Sequence, residues 1–170
     1  MTTHDDAADV EARVLARLSE LGAAYEEIRI DPALAATEDF CRQYGETLES
    51  AGNCIVVIGK AAEPRYAACV IPATRRLDVN RRVKRLLGTR KASFAPAEDT
   101  LARTGMAADG VTPFGLPEAW PVYLDAGLLE QARIIVGGGS RGLKIAVGPA
   151  ALRALSGAEV VDDLSLPPRG

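Results

Sequence analysis

Two bends rich in glycine and proline most constrain the fold of this chain. The stretch DGVTPFGLP, residues 109–117, holds two glycines and two prolines, and GGGSRG, residues 137–142, holds four glycines. Proline fixes φ and removes an amide donor, whereas glycine adopts backbone angles that other residues avoid. Neither stretch can form the interior of a helix or strand. Each predicts a loop that either joins two elements or brings backbone amides close to a ligand.

Apolar periodicity predicts helices and strands in mixed order around these bends. The spacing of apolar residues predicts helices over residues 5–22, 37–44, 78–88, 96–104 and 149–155. Short apolar or alternating runs predict strands over residues 25–30, 54–58, 66–71, 93–95, 122–124, 133–136 and 143–147. No regular βαβ alternation is present, so we expect a single α+β domain with a mixed, largely antiparallel sheet. Residues 1–155 form this domain, and residues 156–170 are predicted to be a flexible C-terminal tail.

Local sequence signals refine three of these elements. Thr37 is predicted to cap the helix that follows it, and Pro96 to be the first residue of its helix. Lys144 alternates with apolar neighbours, which predicts a half-exposed last strand.

Composition excludes several classes of function. The chain has 170 residues, 48% of them apolar, and no run of about 18 apolar residues that could span a membrane. Its N-terminus lacks the apolar run of a signal peptide, so we expect a cytoplasmic protein without membrane partners. The single histidine, His4, and the three widely spaced cysteines exclude imidazole-based nucleophiles and predict no metal site. No cofactor is expected.

The charge distribution is uneven. Net charge is −3, yet residues 75–91 hold eight basic residues and one acid. This segment is either a solvated helix face or a surface that holds a phosphate backbone. The overall acidity makes DNA an unexpected partner.

The glycine-rich stretch 137–142 also matches GxGxxG. It is followed by the strand-like LKIAV rather than by a helix, so dinucleotide binding is disfavoured. A hairpin remains whose exposed amides could face an anion or an oxyanion. Ser140 has no evident base and is more typical of a turn.

The two bends together carry a family resemblance. GVTPFG, then PVYLDAGLLE, then a strand and GGGSRGLKI resemble the YbaK/EbsC and prolyl-tRNA synthetase-associated editing domain family. LDVNRRVKRLLG and SFAPAEDTLARTG extend the likeness to about residues 20–155. The resemblance implies a curved sheet surrounded by helices. It also implies hydrolysis of the ester between tRNA and a mischarged amino acid, typically cysteine or alanine on tRNA for proline.

On this resemblance we expect a free-standing trans-editing deacylase. An ester is already activated, so attack by water needs positioning and oxyanion donors more than a strong base. The expected partners are aminoacyl-tRNA and an aminoacyl-tRNA synthetase. The implied catalytic residues are Asn53, Gly110, Thr112, Pro113 and Gly115. The implied substrate-binding residues are Val111, Phe114, Asp125, Gly137, Gly138, Gly139, Ser140 and Lys144. Arg81, Arg82, Lys84 and Arg85 are the expected tRNA-binding residues.

Two positions depart from the family pattern. NCIVV places Asn53 where the family has lysine, so a charge is missing that Lys60 or Lys144 could supply. Asp109 stands where the family has glycine, and Gly110 could take over its backbone role. The alternative function is therefore a catalytically weakened binding module of the same fold, for aminoacyl-tRNA, an amino acid derivative or a protein partner.

Overall fold

The computed structural model describes residues 4–169. Its helices are α1 His4–Glu20, α2 Thr37–Tyr44, α3 Lys84–Leu87, α4 Ala97–Thr104 and α5 Pro149–Arg153. Its strands are β1 Tyr25–Arg29, β2 Gly52–Gly59, β3 Arg65–Pro72, β4 Arg76–Leu77, β5 Ala92–Phe94, β6 Val122–Asp125, β7 Ile134–Gly137, β8 Leu143–Val147, β9 Ala158–Val161 and β10 Ser165–Leu166. A π-helical turn, Val79–Val83, leads into α3. The elements predicted for residues 5–155 are present with bounds within about two residues.

The strands form a mixed, largely antiparallel arrangement, which confirms the predicted α+β class. A five-stranded sheet has the order β5-β2-β3-β6-β9, with parallel pairing at β3–β6 and β6–β9. A three-stranded antiparallel sheet has the order β1-β8-β7. An isolated bridge between Ala51 and Ile135 joins the two sheets at the start of β2.

Both faces of each sheet are used for packing. One face of β3 and β6 packs with β7, β8 and the apolar stripe of α1, which is formed by Val10, Val14 and Leu18. The opposite face of β3 packs against Val83 and Leu87, from the turn and helix that carry the basic residues. The outer face of β7 and β8 packs against Phe40 of α2. Helices therefore cover both sheets, and α2 lies beside the junction between them.

The C-terminal segment is not a flexible tail, contrary to the prediction for residues 156–170. β9 extends the five-stranded sheet through parallel pairing with β6, and β10 pairs with β4. Val161 and Leu164 are buried, at 2% and 0% exposure. These two apolar side chains give the segment a share of the core, although its composition is typical of loops.

Three smaller predictions are also corrected. The N-cap of α2 is Ala36, and Thr37 is the first helical residue, with its hydroxyl directed to another partner. Pro96 occupies the N-cap position rather than the first turn of α4. β8 is buried along its whole length instead of half exposed, because the side chain of Lys144 is enclosed between α2 and the loop at residue 109.

Candidate functional site

A polar cavity of about 250 Å³ opens where the two sheets meet. Its walls come from α2, the first half of β2, β7, β8 and the bend that starts at Asp109. The lining residues are Thr37, Phe40, Ala51, Gly52, Asn53, Cys54, Ile55, Asp109, Val111, Ile135, Val136, Gly137 and Lys144. Of the residues expected to act on substrate, the structure thus brings together Asn53, Val111, Gly137 and Lys144.

The cavity lies along an open edge of β2. β5 pairs with β2 only at residues 57–59, so the edge is uncovered from Gly52 to Ile55. On that side Ala95 donates its N–H to the carbonyl oxygen of Val56 at 2.9 Å. Alternate residues of a strand direct their backbone groups to the same side, so the N–H and C=O of Cys54 also point to this edge. The strand therefore offers backbone groups to a ligand in the cavity.

Asn53 is held in place by α2. The Thr37 hydroxyl donates to the Asn53 side-chain oxygen at 2.8 Å. That bond leaves the two N–H donors of the Asn53 amide available to a ligand. Thr37 and Phe40 lie three residues apart on one face of α2, and both line the cavity.

Lys144 is the buried cation of the cavity. Its side chain is 6% exposed, and its ammonium donates to the carbonyl oxygens of Ala35 at 2.8 Å and Asp109 at 3.0 Å. The ammonium also lies 5.6 Å from the centre of the Phe40 ring. Burial lowers the pKa of Lys144, and the charge of Asp109 partly opposes this shift. Lys60, the other lysine that could supply the missing charge, is exposed and follows the far end of β2.

The two glycine-rich bends pack directly against each other. Gly139 donates to the carbonyl oxygen of Gly110 at 2.7 Å, and Ala107 donates to that of Gly139 at 3.2 Å. A Cβ on Gly137 would lie 2.5 Å from the Val111 carbonyl oxygen, so only glycine permits this approach.

Three amides of these bends are used within the protein. The N–H groups of Gly110, Gly138 and Gly139 donate to the carbonyl oxygens of Ala107, Leu143 and Gly110. The expected oxyanion hole built from the amides of both bends is therefore not formed by these groups. The bends serve instead to shape the wall of the cavity.

Asp109 has the left-handed backbone conformation that its position requires, with φ of 63°. Its carboxylate pairs with the Arg141 guanidinium at 2.9 Å, and its carbonyl oxygen accepts from Lys144. Aspartate thus replaces glycine here without directing a free carboxylate at the cavity.

Several residues expected at the site lie elsewhere. Phe114 belongs to the main core, and Gly115 packs on Val14 and Arg13 of α1. Ser140 donates to Glu11 at 2.5 Å. Asp125, the last residue of β6, accepts hydrogen bonds from Ser165 and the amide of Gly127. None of these lines the cavity, and neither do Gly110, Thr112, Pro113, Gly138 and Gly139.

Sequence reasoning missed Thr37, Phe40 and Cys54 as cavity residues. Thr37 carried a capping signal, and Phe40 lay in an ordinary amphipathic pattern. Thr37 and Phe40 are one helical turn apart and therefore share a face of α2. That this face lies beside Cys54 of β2 follows only from the tertiary structure.

The basic segment forms one wall of a groove of about 620 Å³. The groove is lined by Arg75, Arg81, Arg82, Arg85, Asp78, Asp162, Asp163, Ser165, Leu166 and Pro167. Three of the expected tRNA-binding residues line it, and Lys84 does not. Arg75 donates to both the hydroxyl and the carbonyl oxygen of Ser165, and Arg82 donates to the carbonyl oxygen of Asp162. The C-terminal segment therefore orders two of the four arginines of this groove, Arg75 and Arg82.

Among the side chains that the structure describes, residues 6–169, no group of three or more histidine, cysteine or acidic residues is placed to hold a metal ion. Over the same range, the helices are all too short or too polar to cross a membrane.

Comparison with known proteins identifies the family. The sequence model of the aminoacyl-tRNA editing domain family matches residues 31–155. An Enterococcus faecalis protein named "Putative Cys-tRNA(Pro)/Cys-tRNA(Cys) deacylase EbsC" is 30% identical over 108 residues, which span 64% of each chain. The chain thus spans just under two thirds of the length of that relative.

Solved structures agree with this assignment. A "putative trans-editing enzyme for prolyl tRNA synthetase" superposes with a TM-score of 0.78 and 25% identity, over 90% of this chain and 95% of the other. The structure of hypothetical protein APE2540 has a TM-score of 0.81 at 24% identity, over 91% and 99% of the two chains, and shows the shared fold. The family resemblance of the two bends is confirmed, and the chain belongs to the aminoacyl-tRNA editing domain family.

Proposed function

We propose that this chain acts in trans to hydrolyse the ester of a mischarged aminoacyl-tRNA. The observation that carries the proposal is the cavity at the open edge of β2, where Asn53, Lys144 and the backbone of Cys54 converge. In a chain of the editing family, this is a polar site of the size that a small aminoacyl group needs. Thr37 and Phe40 would bound the amino acid side chain, and the amide of Asn53 would orient the ester.

The basic groove supports tRNA as the substrate carrier. Ala73 donates to the carbonyl oxygen of Ala51, a cavity residue, at 2.8 Å. Arg75 follows two residues later, so its Cα lies within about 8 Å of that of Ala73. The groove thus begins close to the cavity. Arg81, Arg82 and Arg85 would hold the phosphates of the acceptor stem while the 3′ end reaches the cavity, and Lys84 would add charge nearby.

The experiment is a deacylation assay with the purified full chain. A panel of labelled aminoacyl-tRNAs is incubated with the protein, and loss of the ester is followed over time. The panel includes Cys-tRNA(Pro), suggested by the name of the E. faecalis relative, and Ala-tRNA(Pro). We expect at least one small amino acid to be released faster than in buffer. No acceleration with any member would remove the hydrolase proposal.

A second candidate is a binding module with little catalysis. It is favoured by the cavity lining, which contains no imidazole and whose one carboxylate, Asp109, is paired with Arg141. This candidate predicts tight binding of charged tRNA and protection of its ester. The same assay separates the two functions, because protection and hydrolysis change the rate of ester loss in opposite directions. Association with a prolyl-tRNA synthetase, as the name of the structural relative suggests, would suit either function.

A further inference from the structure

Lys144 has one hydrogen-bond donor that the protein does not use. An ammonium carries three N–H donors, and two of them go to the carbonyl oxygens of Ala35 and Asp109. Both bonds have ordinary lengths and hold the ammonium in one place. Because Lys144 lines the cavity, its third donor is available to a ligand there.

Among the described residues, the hydrogen-bond partners of the Lys144 ammonium are backbone carbonyl groups and not carboxylates. The one acidic side chain that lines the cavity, Asp109, is paired with Arg141 at 2.9 Å. The partners of the ammonium are neutral carbonyl groups. A charge with 6% exposure is poorly screened by water, so its effect on a neighbouring oxygen is larger than at the surface.

Three of the backbone donors expected to stabilise an oxyanion are committed elsewhere. The amides of Gly110, Gly138 and Gly139 donate within the protein. Asn53 can donate a hydrogen bond but brings no charge.

We propose that the Lys144 ammonium is a catalytic residue that donates to the ester carbonyl oxygen and stabilises the oxyanion formed during hydrolysis. This inference rests on the proposed deacylase function. Water forms a bond to the carbonyl carbon, and the negative charge that develops on the carbonyl oxygen is held by Lys144. When the carbon–oxygen bond to the ribose breaks, a proton that originated from the water ends on the ribose hydroxyl. The amino acid and the tRNA are released.

The first test compares Lys144→Met with Lys60→Met, which removes an exposed lysine outside the cavity. Loss of one oxyanion donor lowers kcat by about 100-fold or more. We expect this fall for Lys144→Met, an unchanged rate for Lys60→Met, and an intermediate rate for Lys144→Arg, which keeps the charge. Circular dichroism and thermal unfolding check that each variant is folded. A folded Lys144→Met variant with kcat within twofold of wild type would overturn the inference.

The second test moves the charge to another residue that lines the cavity. In the Lys144→Met background, Asn53→Lys places an ammonium at another residue of the same cavity. A purely structural role of Lys144 predicts no recovery, whereas the proposal predicts at least a tenfold gain over Lys144→Met alone. In the wild-type background, Asn53→Lys brings two cations together, so we expect no comparable gain. A double variant no faster than Lys144→Met counts against the inference.

A binding measurement separates this inference from the proposed function. The probe is the adenosine 3′-ester of aminomethylphosphonic acid, whose anionic oxygens resemble the tetrahedral intermediate of an aminoacyl ester. Calorimetry should show binding by wild type that is at least tenfold weaker in Lys144→Met. If the wild type hydrolyses no ester but shows this difference, the deacylase proposal and the catalytic role of Lys144 both fail, and Lys144 is left as a residue that binds an anionic oxygen in the cavity. If the wild type hydrolyses an ester without this difference, the deacylase proposal stands and the inference about Lys144 fails. Equal binding by both proteins, or no binding by wild type, would overturn the inference about Lys144.

Discussion

Thr37 determines how Asn53 faces the cavity, because its hydroxyl occupies the amide oxygen. Thr37→Val keeps the shape of the side chain and removes the donor. A net hydrogen bond contributes about 1 kcal/mol, so we expect kcat/KM for the best substrate to fall about fivefold. Thr37→Ser, which keeps the hydroxyl, serves as the control. Equal rates for the valine and serine variants would show that this bond does not position Asn53.

Lys144 also gives stability a defined pH dependence. Burial lowers its pKa in the folded state, while Asp109 and Cys41 oppose the shift and Arg141 adds to it. Between the folded pKa and the ordinary value of 10.5, the unfolded chain binds more protons, so stability rises with pH. Relative to Lys144→Met, the wild type should gain at most about 1.4 kcal/mol of unfolding free energy per pH unit in this window. Urea unfolding measured between neutral and alkaline pH tests this, and identical slopes for the two proteins would contradict it.

Individual site residues could be predicted only where a motif named them. Among the residues that line the cavity, Asn53 and Gly137 were named through the family pattern, and Lys144 as a lysine that could supply the missing charge. The same pattern also named Phe114 and Gly115, which do not line the cavity, because a motif conveys which residues are near a site and not which way each side chain points. Thr37 and Phe40 come to the cavity only through the packing of α2 on β7 and β8.

At the scale of elements, the packing of one bend on the other is a backbone contact. Gly137→Ala would place a Cβ 2.5 Å from the Val111 carbonyl oxygen and 2.7 Å from that of Gly110. Forcing these segments apart should cost about 1–3 kcal/mol of stability and enlarge the cavity. Gly142→Ala is the matched control, since its Cβ would have no neighbour closer than 3.8 Å. Chemical denaturation measures the stability of both variants, and equal stabilities would refute the close approach of the two bends.

The sequence did not predict the C-terminal strands β9 and β10. Their apolar residues are few and stand among glycine, serine, aspartate and proline, so no periodicity marks them. Leu164 is nonetheless fully buried, and Leu164→Ala should cost about 2–5 kcal/mol of unfolding free energy. Val160 is 44% exposed, so Val160→Ala should cost far less. Equal melting temperatures for these two variants would contradict the claim that the C-terminal segment packs into the core.

At the scale of the whole molecule, an acidic chain presents a basic groove beside a polar cavity. Arg81→Glu with Arg85→Glu should weaken tRNA binding and make the slope of log affinity against log salt shallower by about one for each phosphate that the variant no longer binds. The control is Arg153→Glu, which reverses an exposed positive charge on α5 at a residue that does not line the groove. Filter binding over a range of salt concentrations measures the slope. A weakening equal to that of Arg153→Glu would indicate that the groove does not hold tRNA.

The fold class and element order could be predicted from periodicity because each element carries its own local signal. The joining of two sheets at Ala51 and Ile135 could not, since that bridge links segments 84 residues apart in the chain. The cavity exists only at this junction. The sequence therefore could not show that the amides of Gly110, Gly138 and Gly139, which it offered as oxyanion donors, are bonded within the protein.

The most direct test of the account is a single-turnover assay in which excess protein meets the best aminoacyl-tRNA of the panel. The account predicts a rate constant for ester loss well above that of buffer for the wild type. It predicts a value about 100-fold lower for folded Lys144→Met, with Lys60→Met unchanged. A wild-type rate equal to that of buffer would contradict the central claim that this cavity is a hydrolytic site.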